Sequence, residues 1–178
     1  MVAPGCAINT RLCVDHWGYS SVGRASRSQC EGQGFESPYL HLKILIEFSA
    51  STPAREIFVD ITERVVAALP SFGEAFTGIV TVFVPHTTAG ITINEGADPD
   101  VAQDLIDSLA RLVPRNAGYR HSEGNSDAHI KASLMGSHVA VAVENGRLRL
   151  GTWQSIYLAE FDGPRTRRVW VVATSSRT

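Results

Sequence analysis

The chain has 178 residues, 44% of them hydrophobic, and its 16 basic and 18 acidic residues give a formal net charge of -2. A chain of this length can bury one sizeable core, which favours a single domain. The balanced charge provides no overall positive field, so we expect a small ligand as partner and neither nucleic acid nor a membrane surface.

The apolar runs of the chain, such as IVTVFV and VAVAV, have the length of strands. A membrane-spanning helix needs about 20 apolar residues, so no run predicts one. The N-terminus lacks a basic segment followed by an apolar segment and therefore does not resemble a secretory signal. We expect a cytoplasmic protein.

The first 41 residues show neither a helical nor a strand period. GYSSVGRA and GFESP can be encoded by DNA resembling the D-arm and T-arm of a transfer-RNA gene, and the fifteen codons from Ser20 to Phe35 match the distance between those arms. We hypothesise that residues from about 17 to 41 are a translated transfer-RNA gene, included because the start codon was assigned too far upstream. The alternative is a genuine disordered extension. Residues 42–178 then form the domain, and a native peptide spanning residues 18–38, found by mass spectrometry, would exclude the hypothesis.

The domain is predicted to begin with two strands, LKILIEFSA and REIFVDI. Asp60 followed by Glu63 resembles a capping box that starts the helix ITERVVAALP, which Pro70 would end. Two β-rich runs follow, GIVTVFVP and GITINE.

The clearest helix is DPDVAQDLIDSLARLVP, because Asp98 can cap it and Pro99 suits its first turn. A shorter helix is predicted over AHIKASLM. One apolar stripe of the longer helix is expected to pack on the core; it consists of Val101, Leu105, Leu109 and Leu112.

Two hairpins are predicted in the C-terminal part. HVAVAV and RLRLG flank Asn145-Gly146, which favours a type I′ turn, and WQSIYLAEF and RRVWVVA flank residues 162–164. Strands joined by hairpins, with two or three helices, indicate an α+β domain with a largely antiparallel sheet or sandwich.

Three histidines are candidate metal ligands: His86 after a strand, and His121 and His129 on either side of Gly124. Three imidazoles and one open position would suit zinc. The alternative is loop histidines that bind backbone carbonyls.

A phosphate site is predicted beside them. Ser126 can cap the helix that carries His129, and Gly124 and Asn125 would let an anion approach the free N–H groups there. Other candidate phosphate contacts are Thr87, Thr88 and Arg165, for which ordinary strand or turn positions are the alternative.

Three charged residues are candidate catalytic groups. Glu95 could be a general base, a metal ligand or part of a loop. Glu123 could be a ligand or could orient a histidine, and Lys131 could balance the charge of a phosphate or lie on the surface.

Three blocks of the sequence, VFVPHTTAGITINEGADPDV, YRHSEGNSDAHIKASLMGSHV and GRLRLGTWQSIYLAEFDGPRTRRV, resemble the secondary thiamine-phosphate synthase family over about residues 42–173. The resemblance implies a homotrimer, a metal site at the three histidines, and a transferase that joins an aminopyrimidine diphosphate to a thiazole phosphate and releases pyrophosphate. EGNSDAH and EFDGPR depart from branches of that family, which leaves the substrate open.

The expected function is therefore a zinc-dependent synthase with a small phosphorylated substrate, and magnesium could accompany the diphosphate. Two alternatives remain. One is a metal-dependent phosphohydrolase, and the other is a non-catalytic trimer that binds a phosphorylated metabolite.

Overall fold

The structure, a computed structural model, describes residues 9–11 and 45–175. Within the predicted extension, Asn9–Arg11 form a short strand that pairs with residues 45–47. The segment resembling a transfer-RNA gene, residues 17–41, lies outside the described residues, so that hypothesis stays a prediction.

Two antiparallel sheets and three α-helices make up the described part of the chain, which confirms the predicted single-domain α+β fold. The strand order is β1-β2-β9-β4-β6-β7 in the larger sheet and β3-β8-β5 in the smaller one. The strands are β1 (Asn9–Arg11), β2 (Leu45–Thr52), β3 (Ile57–Asp60), β4 (Gly78–Phe83), β5 (Ala89–Glu95), β6 (His138–Glu144), β7 (Arg147–Leu148), β8 (Gln154–Glu160) and β9 (Arg165–Ser175). The helices are α1 (Thr62–Ala68), α2 (Pro99–Leu112) and α3 (Ser126–Met135).

The main core lies between the sheets and follows from the alternation of apolar residues along the strands. On β4, Val80 and Val82 are fully buried, while Ile79, which directly precedes them and points to the other face, is about half exposed. Each buried aliphatic side chain of this size contributes roughly 1.5–3 kcal/mol. The cluster includes Ile46, Phe48, Val65, Val80, Val82, Ile91, Ile156, Leu158, Val169 and Val171.

A second, smaller core lies beneath α2 and α3 and contains Phe58, Tyr157 and Phe161. No residue of α2 is fully buried, and Leu112 is 69% exposed. Of the predicted stripe, Leu105 and Leu109 are confirmed, whereas Val101 and Leu112 are not among the residues that pack on the second core. Four residues of the helix pack on the second core: Ala102, Leu105, Ile106 and Leu109.

The first predicted hairpin is confirmed, because Asn145 and Gly146 both have positive φ, at 50° and 70°. The second is wrong: β8 and β9 do not pair and belong to different sheets. The Glu160 carboxylate accepts hydrogen bonds from the backbone N–H groups of Phe161 and Asp162, and the chain turns out of the smaller sheet there. The sequence could not reveal this, because apolar, β-branched segments on either side of a turn have the same pattern whether the two strands pair with each other or only follow one another in the chain.

The capping-box prediction at α1 is wrong as well. Asp60 accepts a hydrogen bond from the N–H of Thr62 at 2.8 Å, and Ile61 occupies the cap position without a side-chain bond. The α-helix ends at Ala68, just before Pro70 as predicted, and a 3₁₀ turn follows over Leu69–Phe72.

Candidate functional site: a histidine-lined groove

A groove with a volume of about 690 Å³ lies between the segment that follows β4 and the C-terminal half of α3. Its walls are largely apolar and include Phe83, Val84, Pro85, Ala89 and Ala132. Its polar side chains are His86, Thr87, His129, Ser133 and Ser137. We call this space the histidine groove.

Backbone contacts fix the two walls of the groove relative to each other. The N–H of Val84 donates to the carbonyl of Ser137 at 2.9 Å, and the N–H of Ile91 donates to that of Gly136 at 3.0 Å. Gly90 allows this approach, since a Cβ atom at that position would lie 2.8 Å from the Gly136 oxygen. The backbone of the strands and of the turn after α3 therefore sets the distance between the two walls of the groove.

His86 has one ring nitrogen occupied and one without a partner among the described residues. Its Nε2 accepts a hydrogen bond from the backbone N–H of Arg168 at 2.9 Å. Burial lowers the pKa of the imidazole, and the charges of Arg167 and Arg168 lower it further. The ring is therefore neutral with its proton on Nδ1, where it can donate a hydrogen bond.

A buried ion pair supports the segment that carries His86. Arg167 binds both carboxylate oxygens of Glu160 and donates to the hydroxyl of Thr88 at 2.8 Å. Burial would raise the pKa of Glu160, but the hydrogen bonds from Arg167, the backbone at Asp162 and Thr52 together hold it below its usual value. Glu160 and Arg167 were not singled out from the sequence, because no local pattern shows that two charges seven positions apart form a buried pair.

A second pocket, of about 440 Å³, lies on the other side of His129. We call it the Arg120 pocket; its lining consists of Tyr119, Arg120, His121, Ser126, His129 and Ile130. The rings of His121 and His129 meet edge to face, with their centroids 5.4 Å apart. Because His129 borders both spaces, the groove and the pocket are neighbours.

The three predicted metal ligands do not form a metal centre. The lone pair on Nε2 of His86 is used by the Arg168 N–H, and the described residues contain no group of three His, Cys, Asp or Glu side chains that could hold a metal ion. The expectation of a metal-binding protein is therefore corrected. Zinc and magnesium as cofactors stay predictions from the sequence, and no step below depends on them.

The predicted phosphate contacts separate into two sets. Thr87 lines the histidine groove and Ser126 lines the Arg120 pocket. The others have structural partners: the Thr88 hydroxyl binds Arg167, and the Asn125 amide donates to Asp162 at 3.1 Å.

Two further predicted contacts also lie outside the cavities. Gly124 has a φ of 72° and forms a turn in which its N–H donates to the carbonyl of His121. The Arg165 guanidinium folds back on Asp162, with which it forms an ion pair of 2.8 Å.

None of the three predicted catalytic residues lines either cavity. Lys131 is 1% exposed and is held between Glu56 and Asp127 at 2.8 and 3.3 Å. Glu95 ends β5, where its carbonyl accepts from the Tyr157 hydroxyl. Glu123 is 71% exposed and lies 3.7 Å from Nε2 of His121.

A network of charges that the sequence did not reveal holds the N-terminus of α3. Arg55 binds Asp127 at 3.0 Å and Asp162 at 3.1 Å. Asp127 is completely buried, so these ions stabilise the fold and are not presented to a ligand. Arg55 and Asp127 are 72 residues apart, which is why no local pattern indicates their contact.

Fold and site together define an α+β protein with a histidine-lined groove next to a second pocket that Arg120 helps to line. Residues 46–176 match the family model of the UPF0047 protein YjbQ-like family. The chain belongs to this family.

Relatives support the assignment. A UPF0047 protein of Methanocaldococcus jannaschii is 49% identical over 132 residues, which cover 74% of this chain and 95% of the relative. UPF0047 protein YugU of Bacillus subtilis is 50% identical and is covered over 91% of its length, as against 67% of this chain. A crystal structure of an uncharacterized YjbQ/UPF0047 protein from Clostridium acetobutylicum is 53% identical, has a TM-score of 0.70, and covers 72% of this chain and 99% of its own.

These relatives overturn the functional identification made from the sequence. Their names identify UPF0047 proteins and none names a thiamine-phosphate synthase, so the family resemblance and the transferase function derived from it are wrong. The two alternatives, a metal-dependent phosphohydrolase and a non-catalytic trimer, find no support in these names either. The sequence blocks were specific to a family, but the activity attached to that family did not follow from the residues.

Proposed function

We propose that the protein binds a small organic molecule in the histidine groove. The observation that carries this proposal is the placement of two imidazoles, His86 and His129, on one largely apolar groove of about 690 Å³. Small-molecule sites in proteins have this size and this combination of apolar walls with a few polar groups.

The polar groups restrict the ligand. Nδ1 of the neutral His86 ring is a donor without a partner among the described residues, and exposed Thr87 also lines the groove. A donor that no protein group satisfies favours a ligand with an acceptor at the matching position, because a ligand without one would displace water from the donor and leave it unpaired. We therefore expect a ligand with an apolar body and an acceptor group; the small phosphorylated compound predicted from the sequence has this character.

Blocking the groove tests the proposal. Ser133 is exposed on the groove wall, and Ser133→Phe would place a ring in the space. The probe is phenyl phosphate at about 10 mM, a concentration that detects weak binding. In the wild type it should shift the NMR signals of residues 84–87 and 133–137. In the variant its affinity should fall at least about tenfold.

Ser108→Phe is the matched control, since Ser108 is exposed on α2 and lines neither cavity. It should bind the probe like the wild type. Absence of shifts around the groove in the wild type, for phenyl phosphate and for phenol alike, contradicts the proposal.

The homotrimer and the cytoplasmic location are also proposals. No helix in the described part of the chain is long and apolar enough to cross a membrane. On the outer face of the larger sheet Phe83 stacks on Trp170 with centroids 5.5 Å apart, and Ile79 is half exposed, which would suit contact with another copy. Light scattering after gel filtration and fractionation of host cells test the two proposals separately.

A further inference from the structure

We infer that the Arg120 pocket binds the anionic end of the ligand whose apolar body occupies the histidine groove. The ligand class is then a phosphate monoester with a compact apolar group, lying across His129. The inference rests on the proposed function, and it adds a second binding subsite and the chemical class of the ligand.

The charges of the two cavities differ. The lining of the histidine groove contains no lysine or arginine, and its His86 ring is neutral. Arg120 is one of the residues that line the Arg120 pocket. An anionic group in the pocket would lie near the positive charge of Arg120, whereas the lining of the groove offers no cation to compensate for its lost hydration.

Arg120 is available to a ligand. Arg55, Arg165 and Arg167 are each paired with a carboxylate. Arg120 is exposed and has neither an ion pair nor a side-chain hydrogen bond to any described residue. A guanidinium with five free donors binds a phosphate through two parallel hydrogen bonds.

The other polar groups of the pocket favour a tetrahedral anion over a planar one. The phenol of Tyr119, the imidazole of His121 and the hydroxyl of Ser126 share the pocket with Arg120. Donors from the loop at residues 119–121 and from the start of α3 can bind the three terminal oxygens of a phosphate monoester, whereas a carboxylate offers two oxygens in one plane. We therefore expect phosphate to bind more tightly than a carboxylate of the same size.

One acidic group opposes an anion here. Glu123 lies 3.7 Å from His121, but it does not line the pocket and is 71% exposed. An exposed pair of this kind contributes little and is screened by salt. Glu123→Gln should therefore raise the affinity for phosphate slightly, by about twofold, since it removes a like charge without changing the shape.

His129 joins the two subsites. It is the one residue that borders both spaces in the described part of the chain, and its backbone N–H is held by the Asn125 carbonyl in the first turn of α3. A ligand that fills both spaces must pass this ring. Its two halves then bind as one molecule and with higher affinity than either half alone.

Three probes separate the subsites: inorganic phosphate, phenol and phenyl phosphate, each titrated into the full-length protein by NMR and calorimetry. Phosphate should shift the NMR signals of residues 119–121 and 126, and phenol should shift those of the groove residues. Phenyl phosphate should shift both sets of signals and bind most tightly. Benzoate should bind more weakly than phenyl phosphate.

Arg120→Gln is the decisive variant, and Arg115→Gln is its matched control. Arg115 is also exposed, forms no ion pair with any described residue, and lies in the same loop outside both cavities. Loss of a charged hydrogen-bonding partner at an exposed site should weaken phosphate and phenyl phosphate by about five- to tenfold in Arg120→Gln and by less than about twofold in Arg115→Gln. Phenol binding should not change in either variant.

The outcomes distinguish this inference from the proposed function. The anion subsite is wrong if phenol and phenyl phosphate shift NMR signals of the groove while phosphate shifts none near residue 120. It is also wrong if the two arginine variants bind the probes equally well. In both cases the proposal that the groove binds a ligand remains valid. If phosphate shifts the pocket and no probe shifts the groove, the proposed function fails while the anion subsite stands. If Arg120→Gln binds phosphate more weakly but has the circular dichroism spectrum of the wild type, misfolding is excluded as the cause.

Discussion

Glu160 and Arg167 form the ion pair on which the His86 segment depends. Both side chains are almost completely buried, and together they bind Thr52 at the end of β2 and Thr88 in the turn before β5. A buried pair of this kind adds less stability than its short contacts suggest, because both ions lose their hydration. Removing one partner lowers the stability much more, since the remaining charge stays buried without compensation.

Glu160→Gln should therefore lower the free energy of unfolding by about 3 kcal/mol, measured by urea denaturation. Glu144→Gln is the control, because Glu144 forms an exposed pair with Arg149 at 3.5 Å. That variant should change stability by less than about 0.5 kcal/mol. Equal effects of the two substitutions would show that the buried pair has no special role.

His86 should titrate below its ordinary value of 6.5, since burial and then the charges of Arg167 and Arg168 lower its pKa. We expect ¹⁵N NMR to show a neutral ring protonated on Nδ1 at pH 7. The folded pKa lies below the unfolded one, so the stability that His86 contributes is complete above the unfolded pKa and is lost as the pH falls through the folded pKa. A midpoint at or above that of the chain unfolded in urea would contradict the assignment.

Local patterns predicted the strands and helices well and their partners poorly. The alternation in IVTVFV, the Asp98-Pro99 start of α2 and the Asn145-Gly146 turn each depend on neighbouring residues, and the structure confirms all three. The pairing of β9 with β2 and β4 depends on distant residues, so the sequence indicated a hairpin with β8 instead.

The candidate site shows the same division. His86, Thr87, Ser126 and the two histidines around Gly124 were singled out as polar groups next to glycine or a strand end, and the structure places them around two adjoining cavities. Lys131 looked like an available charge because its partner Glu56 is 75 residues away. Arg120 was overlooked because no local rule distinguishes an unpaired arginine from a paired one.

The cap of α2 provides a test of one element. The Asp98 carboxylate accepts from the N–H of Asp100 at 2.9 Å, and Asp98→Ala should lower the free energy of unfolding by about 1 kcal/mol. Asp104→Ala, at an exposed position inside the same helix, should be neutral or slightly stabilising because alanine is the better helix former. Amide exchange should show that the first turn of α2 opens more readily only in Asp98→Ala; an equal effect of both variants would contradict the capping role.

Across the domain, three carboxyl groups should make stability dependent on acid. Burial would raise the pKa of Asp60, Glu160 and Asp162, but hydrogen bonds outweigh it and hold each below its usual value of 3.8 or 4.5. Groups with a lowered folded pKa stabilise fully above the unfolded pKa, and this stability is lost as the pH falls through the folded pKa.

We therefore expect the urea midpoint to decline only modestly from pH 8 to 5, through His86, and to fall steeply below about pH 4.5. In Glu160→Gln the fall should be shallower, since one of the three groups no longer titrates. A midpoint that stays constant down to pH 3, or an unchanged slope in the variant, would show that these carboxylates do not control acid unfolding.

The position of β9 between β2 and β4 has a consequence for synthesis on the ribosome. Thr52 and Arg165 are hydrogen-bonded across two strands although they are 113 residues apart in the chain. A nascent chain that has not yet produced β9 exposes the edges of β2 and β4 without their shared neighbour, and unpaired edges of this kind invite association with other chains. The emerging polypeptide is therefore most vulnerable to aggregation until that central strand arrives, and chaperone binding should be concentrated in this interval.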